Sequence, residues 1–253
     1  MLESYVKMKR REKDILLMTH IVLGYPSFDG CFSLVKTMVD AGVDVMELQI
    51  PFSEPIADGP VILHANHKAL RAGVSVEACF KFAGMLTREF DIPFLFMSYY
   101  NILFKYGTDR FLCDMAGHQI RGAIIPDLPP EEGEVCLKGM ASKQLNPILI
   151  FSPTTSFQRM TYIAQFARGF IYCVARKGVT GQDTSFNHAL TTYLRQCRKA
   201  TALPLAVGFG VKEKRDIDFL KNKADIAVIG TQTLNILQTE GIDAVGRFIS
   251  HLQ

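Results

Sequence analysis

The sequence predicts an α/β fold, because short apolar runs alternate with helix-forming segments along all 253 residues. There are eight such runs, and most are continuously apolar, as is typical of parallel strands covered on their outer face. No Gly-x-Gly-x-x-Gly turn follows the first run and no Walker loop is present, which disfavours an open, doubly wound sheet. We therefore expect one domain, residues 1–253, folded as a (β/α)8 TIM barrel with an extra N-terminal helix.

The predicted strands start with ILLMTHIVLG and DVMELQIPF, which are rich in the branched and long apolar residues that favour buried strands. In chain order they cover residues 15–24, 44–52, 93–101, 122–129, 146–153, 169–176, 204–210 and 225–232.

Segments with helical periodicity lie before and between these strands. ESYVKMKRRE, residues 3–12, predicts the extra helix ahead of the first strand. Ser75 is a plausible N-cap for the helix of residues 75–90, and Gly42 is a plausible stop for the helix of residues 32–42. The later helices are predicted at residues 184–200, 212–223 and 241–253.

Composition disfavours several classes of function. The net charge is only +3 and the longest basic block is KRREK, which we interpret as a solvated helix face, so nucleic acid is not an expected partner. No signal peptide and no apolar run of about 18 residues is visible, so no membrane association is expected. The six cysteines are scattered, as reduced thiols of a cytoplasmic protein would be. His64 and His67 lack a third ligand nearby in sequence, so we expect no metal site.

Two carboxylates stand out in DVMELQIPFSEPIADGPVI, residues 44–62. The strand period places Val45, Glu47 and Gln49 on one face, so Glu47 lies in a buried position where a lone charge is unfavourable. Asp58 follows in the next loop. Because active sites of such barrels lie at the C-terminal ends of the strands, the two acids are candidates for proton transfer. The structural alternative is that Glu47 pairs with a buried basic group and that Asp58 caps a turn.

Glycines follow the last three predicted strands, in GVTG (178–181), VGFG (207–210) and IGT (229–231). Such turns allow backbone N–H groups to approach an anion, and the loops after strands seven and eight often bind phosphate. A small phosphorylated molecule is therefore the expected ligand. These loops contain no lysine placed to form a Schiff base with a substrate. Acid–base catalysis is therefore favoured over covalent catalysis.

Five motifs, in order along nearly the whole chain, resemble those of the tryptophan synthase alpha chain family. They are ELQIPFSEPIADGP (47–60), YYN (99–101), IIPDLPPEE (124–132), RKGVTG (176–181) and VGFGV (207–211). The resemblance implies a lyase that splits indole-3-glycerol phosphate into indole and glyceraldehyde 3-phosphate by a retro-aldol step. It also implies a beta chain partner, in a complex of two alpha and two beta chains, that carries pyridoxal phosphate and receives the indole. This chain itself would need no cofactor.

The resemblance also implies roles for individual residues. Glu47 would move protons at indole C3 and the glycerol hydroxyl, and Asp58 would stabilise charge at the indole N–H. Loops 51–58 and 177–188 would close the site and contact the beta chain. The remaining matches fall into a substrate pocket, Tyr172, Phe209, Ile124, Ile150, Tyr99 and His20, and a phosphate cradle, Gly181, Gly210, Gly230 and Thr231.

Several positions depart from the family pattern. Gln49 replaces a glycine, His20 replaces a phenylalanine, and Thr231 with Gln232 replaces a Ser-Ala pair. These changes would crowd the substrate pocket while keeping both carboxylates, and overpacking costs about 1–3 kcal/mol per site. The alternative function is thus a lyase-weakened or inactive alpha subunit that mainly binds and activates the beta chain. A third, less favoured possibility is another phosphate-handling barrel.

Overall fold

The computed structural model describes residues 2–175, 188–208 and 210–253. Its strands form a closed barrel in the order β1 to β8, and every neighbouring pair is parallel, including β8 with β1. The predicted (β/α)8 barrel is confirmed. The strands are β1 Leu16–Val22, β2 Val45–Gln49, β3 Phe94–Met97, β4 Gly122–Ile124, β5 Asn146–Phe151, β6 Ile171–Val174, β7 Leu205–Gly208 and β8 Ile226–Ile229.

All eight strands lie within the predicted segments, and each ends earlier than its apolar run does. The fourth is the clearest case, because β4 ends at Ile124 although the predicted segment continues to residue 129. There the Leu128 N–H donates to the Ile125 carbonyl at 3.2 Å, which turns the chain away from the sheet. Leu128 is nevertheless buried, so its apolar character reflects packing of the loop.

The described residues also contain twelve helices. Ser75 is an N-cap as predicted, and its side chain accepts a hydrogen bond from the Ala78 N–H. None of these helices combines the length and the apolar character needed to cross a bilayer. The helices are α1 Leu2–Lys9, α2 Phe28–Asp40, α3 Pro60–Arg71, α4 Val76–Glu89, α5 Tyr100–Tyr106, α6 Thr108–Gly117, α7 Glu134–Ser142, α8 Phe157–Ala164, α9 His188–Ala200, α10 Lys214–Leu220, α11 Thr231–Glu240 and α12 Ile242–Leu252.

Helix α1 is the predicted extra helix, and it closes the N-terminal end of the barrel. Its side chains Leu2 and Val6 join the inner apolar cluster beside Leu16 and Phe170. The helix ends at Lys9, so the interpretation of KRREK as a helix face was wrong for most of the run. Lys13 lies in the connection to β1 instead and pairs with Asp44 at 2.8 Å.

The strand period separates two apolar layers, as expected. Val45 belongs to the cluster inside the barrel, whereas Met46, Leu48 and Ile50 pack in the layer between strands and helices. The same alternation directs Glu47 toward the barrel interior. Polar residues near the C-terminal ends of the strands therefore face one another across a narrow, largely apolar space.

Candidate active site

The first polar contact at the C-terminal mouth joins neighbouring strands β1 and β2. His20 and Glu47 are register partners, and the His20 Nδ1 and Glu47 Oε1 atoms lie 2.9 Å apart. Both side chains are only 6% exposed. The Glu47 Oε2 and His20 Nε2 atoms are buried without a polar partner among the described residues. Since buried polar atoms are normally hydrogen-bonded, two orphaned atoms at a barrel mouth indicate a position for a ligand or water.

A second polar contact fixes the other predicted carboxylate. The Gln49 Nε2 donates to Asp58 Oδ2 at 2.6 Å, and the Tyr99 hydroxyl donates to the same oxygen at 3.1 Å. The Tyr99 hydroxyl also accepts from the Ala57 N–H at 3.0 Å, which ties the loop after β2 to the end of β3. Asp58 is thus held over the mouth by Gln49 of β2 and by Tyr99, which lies between β3 and α5.

Burial and charge act in opposite directions on these groups. Burial lowers the pKa of the His20 imidazole, but the negative charge of Glu47 and the hydrogen bond to it raise the pKa above the ordinary value. Burial raises the pKa of the Asp58 carboxyl, despite the opposing effects of the nearby His20 ring and the Gln49 amide. Two acids and one base therefore share a poorly solvated space in which proton transfer is sensitive to small changes.

Apolar and aromatic side chains form the walls around the carboxylates. Ile124, Ile150 and Tyr172 belong to the inner cluster, and the latter two are partly exposed at the mouth. A side chain at Gly208 would collide with the Tyr172 ring, so this glycine creates the space that the ring occupies. Burial, followed by the charges of Glu47 and Asp58, raises the pKa of the Tyr172 hydroxyl well above its ordinary value and keeps it protonated.

The last strands bring glycines to the same end of the barrel. Gly210 has a φ of 100°, in the left-handed region that glycine adopts readily. Gly230 is the N-cap of α11, whose first helical residue is Thr231, and the position of a Gly230 Cβ would be 3.4 Å from the His20 Cβ. The first N–H groups of α11, which have no partner within the helix, lie beside the carboxylate mouth, where they are suited to an anion.

The structure thus assembles most of the predicted site. It supports part of the structural alternative as well, because Glu47 does pair with a buried basic group, His20. That pairing uses one carboxylate oxygen only. Phe209 and Gly181, predicted for the pocket and the phosphate cradle, lie outside the described residues, as does most of loop 177–188.

Two features of the site were not predicted from the sequence. Gln49 was expected only as an obstruction, but it is fully buried and donates a hydrogen bond to Asp58. Phe52 stacks on Tyr99 with ring centroids 5.1 Å apart and was missed, although its position in IPFSEP, directly after the acidic strand, was a usable signal. Among residues 2–175, 188–208 and 210–253, no three metal-ligating side chains are grouped together.

This arrangement can move protons at a bound molecule. A buried carboxyl with one fixed oxygen and one unoccupied oxygen can donate or accept a proton at a defined place. A second carboxyl across the mouth can stabilise positive charge, and the helix start can hold an anionic group.

Known proteins share both the sequence and the fold. A sequence profile described as tryptophan synthase alpha chain matches residues 6–248. The chain is 60% identical over 252 residues to the tryptophan synthase alpha chain of Desulforapulum autotrophicum, and both chains are covered completely. It is 55% identical, again with complete coverage, to the alpha chain of Syntrophotalea carbinolica. A structure of Mycobacterium tuberculosis tryptophan synthase superposes with a TM-score of 0.93 at 27% identity, covering 99% of this chain and 96% of that one.

Proposed function

Because the chain belongs to the tryptophan synthase alpha chain family, we propose that its two mouth carboxylates carry out the lyase reaction of that family. The reaction is the cleavage of indole-3-glycerol phosphate to indole and glyceraldehyde 3-phosphate, a step in tryptophan biosynthesis. One observation carries the assignment of residues: Glu47 is buried, is held by one oxygen and has an unpartnered second oxygen among the described residues.

In the proposed mechanism Glu47 acts first as an acid. Protonated at Oε2, it delivers a proton to indole C3, which converts the ring into an indolenine cation. The Asp58 carboxylate faces the indole N–H and stabilises the positive charge that develops there. The bond between C3 and the glycerol carbon is now able to break with its electron pair passing to the ring.

Glu47 then acts as a base. The carboxylate removes the proton of the hydroxyl on the adjacent glycerol carbon, the C–C bond breaks, and that carbon becomes the aldehyde of glyceraldehyde 3-phosphate. The ring recovers its aromaticity with the new hydrogen at C3, and Glu47 is protonated again. Because one proton leaves and one returns, the carboxyl needs no external acid or base within the cycle.

The remaining predicted residues would position the substrate. The indole ring would be held by Ile124, Ile150, Tyr172 and Phe209, the last of which lies outside the described residues, and Tyr99 would fix Asp58. His20, predicted to contact the ring, would act mainly on Glu47. The phosphate would be bound through the backbone N–H groups of Gly210, Gly230, Thr231 and Gly181, the last again outside the described residues, assisted by the α11 helix start.

We further propose that the chain works with a beta chain, in a complex of two alpha and two beta chains, and that pyridoxal phosphate belongs to the beta chain. Large apolar side chains are exposed on successive segments at the mouth end: Ile56 after β2, Phe104 after β3 and Val135 after β4, with 72%, 69% and 76% exposure. Exposed large apolar side chains at one end of a protein are typical of an interface when they form a patch. A Phe104→Asp variant should weaken association with the beta chain, whereas Met8→Asp at the opposite end should not.

The proposal also covers the domain organisation of the chain, its location and the alternative function. We infer one domain over residues 1–253, supported by the pairing of β1 with both β2 and β8. A biosynthetic family and free cysteines are consistent with a location in the cytoplasm. Neither the relatives nor the geometry of Gln49 favours the alternative of a subunit without lyase activity, because Gln49 donates to Asp58 and, among the residues that the structure describes, Glu47 Oε2 has no hydrogen-bond partner.

The direct test is turnover of indole-3-glycerol phosphate by the purified chain, with and without the beta chain. Release of indole should be measurable from the chain alone and faster in the complex. If the beta chain's reaction of indole with serine is stimulated while indole-3-glycerol phosphate is not cleaved, the lyase assignment is wrong.

A further inference from the structure

We propose that His20 is a positioning residue for the lyase step: by binding Glu47 Oε1 it directs Oε2 at the substrate and forms with Glu47 a unit that carries one transferable proton. The proposal rests on the role assigned to Glu47 above. It assigns a function to a side chain that stands where the family pattern has phenylalanine.

The first support is the geometry of the pair. His20 and Glu47 are register partners on the paired strands β1 and β2, so their inward side chains lie next to each other. The Nδ1 to Oε1 distance is 2.9 Å, in the normal range for such a bond. Held in this way, the carboxylate cannot rotate to exchange its two oxygens without losing the bond.

The second support is the pattern of satisfied and unsatisfied atoms. Of the four ring and carboxylate atoms, Nδ1 and Oε1 bind each other, while His20 Nε2 and Glu47 Oε2 have no partner in normal hydrogen-bond geometry within the described part of the chain. A pair that served stability alone would use both oxygens, since each unsatisfied buried atom is unfavourable by about 1–3 kcal/mol. A phenylalanine ring could not hold Oε1 at all.

The third support concerns the charges that face the pair. Asp58 is on the loop above β2, Tyr99 follows β3, and Tyr172 is on β6. Both tyrosine pKa values are raised by burial, so these hydroxyls stay neutral. The inner residues of the other described strands are apolar or glycine. They are Ile124, Ile148, Ile150, Ala206, Gly208, Ile226 and Val228.

Glu47 and Asp58 are therefore the charged groups that act on His20 in the described residues, and together with hydrogen bonding from Glu47 and Gln49 they raise its pKa despite burial. The pair retains its one proton at a pH where an ordinary imidazole would have lost it. In the reactive form of the pair this proton is on Glu47 Oε2 and the imidazole is neutral; the proton passes from Oε2 to indole C3, and the glycerol hydroxyl proton then replaces it. His20 keeps its Nδ1 hydrogen throughout, and the unit ends as it began.

The test compares two substitutions of His20 in the complex with the beta chain. His20→Phe removes the donor, and we expect kcat to fall about 10- to 100-fold, the loss expected for one hydrogen bond to a charged group, with KM within about twofold. His20→Gln offers an amide N–H to Oε1 without titrating, so it should recover part of the lost kcat. His251→Asn, an exposed histidine on α12, is the matched control and should behave as wild type.

The pH profile separates positioning from simple packing. In the wild type, the apparent pKa of the alkaline limb of the kcat–pH profile should shift with temperature, as the pKa of an imidazole does. In His20→Gln the limb should belong to a carboxyl group and be nearly independent of temperature. If His20→Phe folds and keeps the wild-type kcat and profile, the proposal is overturned. If it does not fold, a wild-type, temperature-dependent limb in His20→Gln overturns it. Failure of the Glu47 role itself would be seen separately, as full turnover by Glu47→Gln.

Discussion

Two buried acids, three residues apart around β2, show how the ends of the barrel differ. Asp44 lies at the closed end and is 5% exposed, and Glu47 lies toward the open end and is 4% exposed. Both Asp44 carboxylate oxygens are satisfied, one by Lys13 at 2.8 Å and the other by the Leu17 N–H at 2.9 Å. Glu47 has one satisfied oxygen and one orphaned oxygen in the part of the chain described.

The difference shows that burial alone does not identify a reactive acid. The closed end repeats its pattern at Asp225, whose Oδ2 accepts from the Leu205 N–H at 2.8 Å and from Arg198 at 2.6 Å. Such paired acids join the connection before β1, the strands and α9 into one structure. At the open end the polar atoms are left partly unpaired, which destabilises the fold but prepares the site for a substrate.

The largest effect should follow removal of the acid at the open end. Glu47→Gln keeps size and can still accept from His20, but it cannot deliver a proton to C3. We expect kcat to fall about 10²- to 10⁴-fold, the usual contribution of a general acid–base group. Single-turnover release of indole measures this loss. A variant that folds, binds substrate and cleaves it at the wild-type rate would contradict the comparison.

Asp58→Asn should separate activity from stability. Loss of the charge facing the indole N–H should reduce kcat by about 10²- to 10³-fold, as for other groups that stabilise transition-state charge. Because the Asp58 pKa is raised in the folded protein, its ionised form opposes folding once the pH exceeds that raised value. The variant should therefore be more stable by about 0.5–2 kcal/mol at neutral pH.

Denaturant unfolding at neutral pH and at about pH 4, near the ordinary aspartate value, tests the second effect. The gain in unfolding free energy should shrink at the lower pH. An Asp58→Asn variant that is less stable than wild type at neutral pH would show that the hydrogen bonds from Gln49 and Tyr99 outweigh burial.

The closed end should respond in the opposite way. Asp44→Ala leaves the buried Leu17 N–H and the Lys13 ammonium without their partner, so the free energy of unfolding should fall by about 1–3 kcal/mol. Turnover per folded molecule should remain near wild type, because Asp44 lies at the other end of the barrel. Parallel unfolding and kinetic measurements check both parts, and a large loss of kcat in the folded variant would contradict the division between the two ends.

The smallest effect concerns the pH dependence of stability at His20. Its raised pKa means that the folded state binds the proton more tightly than the unfolded state does. This stabilisation is fully present below about pH 6.5, the ordinary value, and is lost as the pH rises through the raised folded value. The difference in unfolding free energy between wild type and His20→Asn should therefore be larger at about pH 6 than at about pH 9. A constant difference would show that the pair does not titrate in this way.

The fold could be predicted further than the site could. Apolar runs located all eight strands, and the strand period placed Glu47 inside the barrel, because both depend on local patterns. The apolar runs could not show where strands end: YYN was assigned to the third strand, but Tyr99 is the N-cap of α5. That boundary is set by loop packing, and the two-residue alternation of a strand gives no information about loop packing.

The pairing within the site could not be predicted, because it depends on register and side-chain direction. His20 and Glu47 are 27 residues apart and meet through the alignment of β1 with β2. Gln49 and Asp58 meet because the loop after β2 folds back over its own strand, held by the Tyr99 hydroxyl. The sequence identified these positions as unusual but interpreted Gln49 as an obstruction rather than as a hydrogen-bond donor.

Hydrogen exchange at indole C3 tests the central claim most directly, because it isolates proton transfer from C–C cleavage. The chain would be incubated in D₂O with indole and with glycerol 3-phosphate, which would occupy the proposed phosphate cradle. Loss of the C3 proton would be followed by NMR. Wild type should exchange this position faster than buffer, and Glu47→Gln should exchange it at the buffer rate. Equal exchange by the two proteins, or no exchange above buffer by wild type, would contradict the assignment of Glu47 as the proton-moving group.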